Sequence, residues 1–155
     1  MHPLSALPHW PYAPRYQEGG RGDSFPPALG GSVLMVEDEP EIARMVHHVF
    51  RGAGLAMTAV SSGGEALRVL ERNTQTYSLL FADYLLPDMD GLDLCRQLRD
   101  IVPGLPVLLA SGSERNEACL QLQLGGPTMF VRKPYLPAHL IRHVRALLMR
   151  SLQTA

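Results

Sequence analysis

Lysine is nearly missing from this chain. Among 155 residues there are 14 cationic side chains, and only Lys133 is a lysine; the other thirteen are arginines. Codon bias in a GC-rich genome explains the arginines, and under such a bias a lone lysine marks a place where a compact ammonium serves and a guanidinium would not. Cysteine is as scarce. Cys95 and Cys119 make no disulfide framework, and reduced thiols are the simpler reading. No stretch approaches about 18 consecutive apolar residues, which excludes a transmembrane helix. No basic segment followed by an apolar core opens the chain, which excludes a secretory signal. A net charge of −1 excludes a broad basic field for nucleic acid. A glycine-rich loop ending in Lys-Ser or Lys-Thr is missing too, since Lys133 precedes Pro134, and this argues against P-loop nucleotide binding. These absences point to a soluble cytoplasmic protein with no direct nucleic-acid or membrane partner.

What is present suffices for one domain with a real core, at 46% hydrophobic residues. Residues 1–30 hold six of the thirteen prolines, and their apolar residues follow no period. They read as a disordered tail or linker, with the folded domain over 31–152. Trp10 among Pro8, Pro11 and Pro14 is better read as part of that tail than as a polyproline docking site. Arg21-Gly22-Asp23 is read as chance. From residue 31 strands and helices alternate. Val33–Val36 is a short apolar strand. Pro40 opens a helix with Ile42, Met45, Val46, Val49 and Phe50 on one stripe. Leu55–Val60 is a weaker strand, and Ser62 with Glu65 has capping-box spacing for a helix through Arg72. A strand follows over Ser78–Ala82, then a helix capped by Asp90, a strand at Pro106–Ala110, a helix at 114–124, a strand at Met129–Arg132, and a helix from Pro137. The 114–124 segment has the weakest helical stripe, because Ala118, Leu120, Leu122 and Leu124 alternate. The sum is α/β: a doubly wound parallel sheet of five strands with helices on both faces.

Such sheets bind ligands at the carboxyl ends of their strands. Glu37 and Asp38 follow the first strand, Asp83 the third, Ser111 and Gly112 the fourth, Lys133 the fifth. The topology therefore gathers three carboxylates, a hydroxyl and an ammonium on one edge. Carboxylates at contact distance repel by roughly 4 kcal/mol per pair at an effective dielectric near 20. Lys133 offsets part of that, and a hard divalent cation, Mg²⁺, offsets the rest. Zinc is disfavoured without cysteine or histidine in the cluster. A metal, an ammonium and a hydroxyl around one carboxylate suit phosphoryl transfer. Asp83 is the candidate nucleophile. Glu37 and Asp38 would hold the metal, and Lys133 and Ser111 would bind phosphoryl oxygens. Singly, each piece has a plainer reading: a helix cap, a solvated acidic loop, a strand end. Their meeting on four strand ends favours the functional one. His47 and His48, adjacent on the first helix and far from this edge, read as solvent-facing, and Cys95 as a packing residue.

The segments "VLMVEDEP", "LLFADYLLPDMDG", "PVLLASG" and "MFVRKP" come in an order and at intervals that resemble the receiver domain of two-component response regulators, over residues 32–150. The resemblance implies strand order 2-1-3-4-5 and transfer of a phosphoryl group to Asp83 from a phosphohistidine on a sensor histidine kinase or histidine phosphotransfer protein. It implies Mg²⁺ held by Glu37, Asp38, Asp83 and the backbone carbonyl of Leu85. It also implies a switch formed by Ser111 and Phe130, and a cis Lys133–Pro134 bond. The family pattern varies at three places. Glu37 stands for the commoner aspartate, Ser111 for threonine, and aliphatic Leu85 occupies a position where a polar residue would orient water. The expected output is a downstream protein target bound by the face of 114–124, the fifth strand and the last helix, in a stand-alone regulator or the terminal receiver of a hybrid kinase. An unphosphorylated docking module of the same fold is the alternative. An aspartyl-phosphate phosphatase is disfavoured, because it would want a second aspartate where Leu85 stands.

Overall fold

A computed structural model describes residues 29–72, 77–112 and 126–153. The strands are β1 (Ser32–Val36), β2 (Ala56–Val60), β3 (Leu79–Asp83), β4 (Val107–Ser111) and β5 (Thr128–Arg132). The helices are α1 (Pro40–Gly52), α2 (Gly63–Arg72), α3 (Gly91–Ile101) and α4 (Pro137–Gln153). The expected tail, apart from its last two residues, and the expected helix at 114–124 lie outside the described residues. The strands form one parallel sheet in the order β2-β1-β3-β4-β5.

Alternation along the strands builds two cores. Leu34, Val36, Leu80, Ala82, Val107 and Leu109 point to one face, where α2 and α3 supply Leu67, Leu70, Leu94 and Leu98. Val33, Met35, Leu79, Phe81, Leu108, Ala110 and Val131 point to the other, against Val46 and Phe50 of α1 and Leu140, Val144 and Leu147 of α4. The three inner strands are buried on both sides, which is why they read as unbroken apolar runs. β2 is an edge strand, and Ala56, Thr58 and Ala59 are exposed there, which is why its pattern is weak. The packed chain begins before residue 31: Leu29 donates its N–H to the Ala53 carbonyl at 3.0 Å and packs against the α1 side.

Two local expectations change in detail. Asp83 is the last residue of β3 rather than a residue beyond it, paired in register with Ala110. The Ser62 hydroxyl accepts from the Glu65 N–H at 3.2 Å, as a capping box requires, but the Glu65 carboxylate turns to Ser61, accepting from its N–H at 3.0 Å and its hydroxyl at 3.1 Å. The box therefore closes one residue earlier than its spacing suggests. Asp90 caps α3 as expected, accepting from the Asp93 N–H.

Candidate functional site

The sheet register fixes which residues share the carboxyl edge. The Glu37 N–H donates to the Val60 carbonyl at 2.9 Å, the Tyr84 N–H to Ala110 at 2.9 Å, and the Lys133 N–H to Ser111 at 2.8 Å. Glu37, Asp83, Ser111 and Lys133 are thereby held on consecutive strand ends by backbone bonds, independently of their side chains.

Asp83 and Lys133 meet directly. Lys133 Nζ forms an ion pair with Asp83 Oδ2, and both side chains are partly shielded. Asp83 Oδ1 accepts from the Leu85 N–H at 3.3 Å. The one lysine of the chain thus sits on the central strand's carboxylate, fifty residues away in sequence. The Lys133–Pro134 bond is cis.

Glu37 is buried, at 7% exposure, and its Oε1 accepts from the Glu39 N–H at 3.1 Å. Burial raises its carboxyl above the ordinary value of 4.5. The Glu39 amide and Lys133 oppose that, while the charges of Asp83 and Asp38 add to it. Asp38 is exposed at the rim. Among the described residues, no three acidic, histidine or cysteine side chains come close enough to form a ready-made metal cage. The carboxylates feel one another's charge without closing on a common point, which differs from the tight cluster that the spacing suggests. The donor set still fits Mg²⁺. It consists of hard oxygens, it carries more negative charge than Lys133 offsets, and Mg²⁺ takes one or two carboxylates and keeps several waters.

Ser111 is buried at 6% exposure, and Phe130 is partly buried against the α2–α3 side. Phe130 also lines a surface cleft of about 410 Å³ with Lys133, His139 and His143. Leu85 is the opposite case: it is 68% exposed, and it meets Asp83 through its backbone N–H. His47 and His48 are exposed on α1, and Cys95 is buried, with its thiol pushed up to about 11 by burial.

Three participants are not apparent from the sequence. Tyr135 packs edge-on against Phe81 at 5.9 Å, and its phenol is pushed up first by burial, then by the charges of Glu37 and Asp83. Its position two residues beyond Lys133 is the available signal. Asp88 accepts from the Gly63 and Gly64 N–H groups at the start of α2, a contact across 24 and 25 residues for which no local pattern exists. Arg99 joins the end of α3 to the approach of β5: its guanidinium donates to the carbonyls of Pro103 at 3.1 Å, Pro127 at 3.4 Å and Leu105, and to Thr128 Oγ1 at 3.2 Å.

A doubly wound parallel sheet in the order 2-1-3-4-5, with a lysine–aspartate pair beside a buried acid at its carboxyl edge, defines the receiver class of α/β domain. The family model of the response regulator receiver domain matches residues 33–145. The chain belongs to that family. Among curated relatives it is 37% identical over 121 residues to the sensory transduction protein RegX3 of Mycolicibacterium smegmatis, covering 77% of this chain and 51% of that protein. It is 35% identical over 120 residues to the DNA-binding response regulator MtrA of the same organism, again covering 77% and 51%. The chain spans about half the length of the curated relatives it matches. Among solved structures, the receiver domain of a sensor histidine kinase from Pseudomonas aeruginosa, with a magnesium ion coordinated in its active-site cleft, aligns with a TM-score of 0.66 and 27% identity, covering 77% of this chain and 98% of that one. A receiver domain from Clostridium thermocellum, at 22% identity, shows the same fold with a TM-score of 0.73, covering 80% and 98%. The chain is a two-component receiver domain, and its relatives are bacterial.

Proposed function

We propose that this domain accepts a phosphoryl group on Asp83 from a phosphohistidine of a sensor histidine kinase or a histidine phosphotransfer protein. The Lys133–Asp83 ion pair beside buried Glu37 is the observation that carries this reading. An Asp83 oxygen attacks phosphorus. The new O–P bond forms as the N–P bond breaks, and the imidazole nitrogen leaves with the bonding pair and takes up a proton. Lys133 follows the charge from the carboxylate oxygen to a phosphoryl oxygen, acting as a mobile point charge. Glu37, Asp38, Asp83 and the Leu85 carbonyl would hold Mg²⁺, which supplies neutralisation of the phosphoryl oxygens when bound. The Ser111 hydroxyl would donate to another of those oxygens. The product is an acyl phosphate on a signalling domain that acts on no other substrate.

The charge added at Asp83 would draw Ser111 toward the phosphoryl group and let Phe130 turn inward, changing the face of β5 and α4 that meets a protein target. Half-buried Phe130 beside a cleft supports this, because it has room to move. Among the described residues no helix is long and apolar enough to cross a membrane. Incubation with acetyl phosphate and Mg²⁺, followed by intact mass, tests the reading. Wild type is expected to gain one phosphoryl group and Asp83→Asn none. Equal labelling of both would refute it.

A further inference from the structure

The loop from Tyr84 to Asp90 is closed on itself and then tied to a helix to which it does not belong. The Gly91 N–H donates to the Tyr84 carbonyl at 2.6 Å and the Leu86 N–H to Met89 at 3.0 Å, and Leu85 bridges Asp90 in antiparallel fashion. At the tip, Asp88 reaches outward. Its Oδ1 accepts from the Gly63 N–H at 3.0 Å and its Oδ2 from the Gly64 N–H at 2.9 Å. These are the first two residues of α2, whose amides have no acceptor within their own helix. Met89 covers the same helix end. A Cβ on Gly63 would lie 2.6 Å from Met89 Sδ, and one on Gly64 would lie 3.2 Å from Asp88 Oδ2. The close approach depends on bare backbone at both positions.

The Leu85 side chain is mostly in solvent and cannot anchor its own backbone by packing. Tyr84, Met89 and Gly91 hold the inner side of the loop. On the outer side, Asp88 joins the loop to the two glycine amides. We propose that Asp88 is a positioning residue for the Asp83 site: latched to the start of α2, it fixes the loop so that the Leu85 amide and carbonyl stay at the rim of Asp83. This rests on the reading of Asp83 as phosphoryl acceptor. The bonds to Gly64 and Gly63 also hold the Asp88 carboxyl below its usual range, so the latch is closed at neutral pH.

The latch acts on the place where the metal is held, so its loss falls on Mg²⁺ affinity and spares the chemical step. For Asp88→Ala in the full chain, Mg²⁺ titration followed by amide NMR is expected to show a dissociation constant raised about tenfold, the lower end for loss of an outer-shell partner. Labelling by acetyl phosphate at saturating Mg²⁺ should stay within about twofold of wild type, a split between binding and chemistry. Asp88→Asn keeps one acceptor oxygen, should retain the fold, and is expected to fall between the two. Hydrogen exchange at the Leu86 and Gly91 amides is expected to quicken in Asp88→Ala. Wild-type Mg²⁺ affinity in Asp88→Ala, with wild type itself phosphorylated, would overturn the latch and leave the phosphoacceptor reading standing. If wild type takes no phosphoryl group, that reading falls, and the exchange rates decide the latch: faster exchange sustains it and unchanged exchange overturns it.

Discussion

Glu37 lies behind the site with 7% of its surface exposed and holds its proton more tightly than an ordinary carboxylate, mainly because of burial. The folded state therefore binds this proton where the unfolded chain has lost it. Its contribution to stability is present below the unfolded value near 4.5 and is lost as pH rises through the raised folded value. Ionised Glu37 is thus destabilising at neutral pH in the absence of a cation. Glu37→Gln is expected to stabilise the metal-free protein at pH 7 by about 1 kcal/mol, a melting-point rise of about 3 °C. The gain should vanish at pH 4, and Mg²⁺ should bind the variant more weakly. Melting curves at the two pH values check the sign. Leu85 gives a second test at this scale. Its aliphatic side chain stands in solvent beside Asp83 and can orient no water. Leu85→Asn is expected to speed loss of the acyl phosphate severalfold with little change in its formation, about tenfold being a low return for positioning an attacking group. An unchanged decay rate would show that water is not oriented from this position.

The ends of elements carry interactions that element patterns do not. Apolar runs bounded by turn residues make β1, β3 and β4 legible, and a 3.6-residue stripe with Pro40 at its start makes α1 legible, because burial on known faces leaves those periods behind. Arg99 shows why other contacts are not. It lies on α3 four positions beyond Cys95 and looks like a solvated helix residue, yet besides the nearby Pro103 and Leu105 carbonyls it reaches the Pro127 carbonyl and Thr128 Oγ1, which only the folded sheet brings near. Burial lowers its guanidinium's hold on the proton. Arg99→Lys would put one compact ammonium in place of a planar fork that reaches several separate acceptors. It is expected to cost about 1–3 kcal/mol in urea unfolding, the range for buried acceptors left unmatched. A cost below about 0.5 kcal/mol would mean that water replaces the fork. In the core, Phe81 is buried at 2% exposure and touches Phe50 and Tyr135 edge-on, each at 5.9 Å. Phe81→Ala is expected to cost about 3–5 kcal/mol by the same measurement.

At the scale of the molecule, one sheet does two jobs. Its buried strands fix the backbone, and its carboxyl edge collects side chains from residues 37 to 133 that have little contact with one another along the chain. That edge was legible because strand order follows from alternating strands and right-handed crossovers, and each strand end can be read from where its apolar run stops. Its electrostatics were less so. The sequence suggests carboxylates in contact, whereas the fold buries Glu37, leaves Asp38 exposed and gives Asp83 to Lys133. The proposed site therefore starts from a lysine-bound carboxylate, and the incoming phosphoryl group must take that lysine over. Lys133→Gln removes the partner and is expected to slow labelling of Asp83 at least tenfold while leaving Mg²⁺ binding within a few fold, since Lys133 is not among the residues that would hold the metal.

Borohydride reduction of the acetyl phosphate-treated chain, followed by peptide mapping, reads the acceptor directly, because hydride converts an aspartyl phosphate to homoserine at the residue that carried it. Homoserine at position 83, formed only when Mg²⁺ is present, is the expected result. Reduction at another acidic residue, or none in a chain whose intact mass shows the phosphoryl group, would contradict Asp83 as its acceptor.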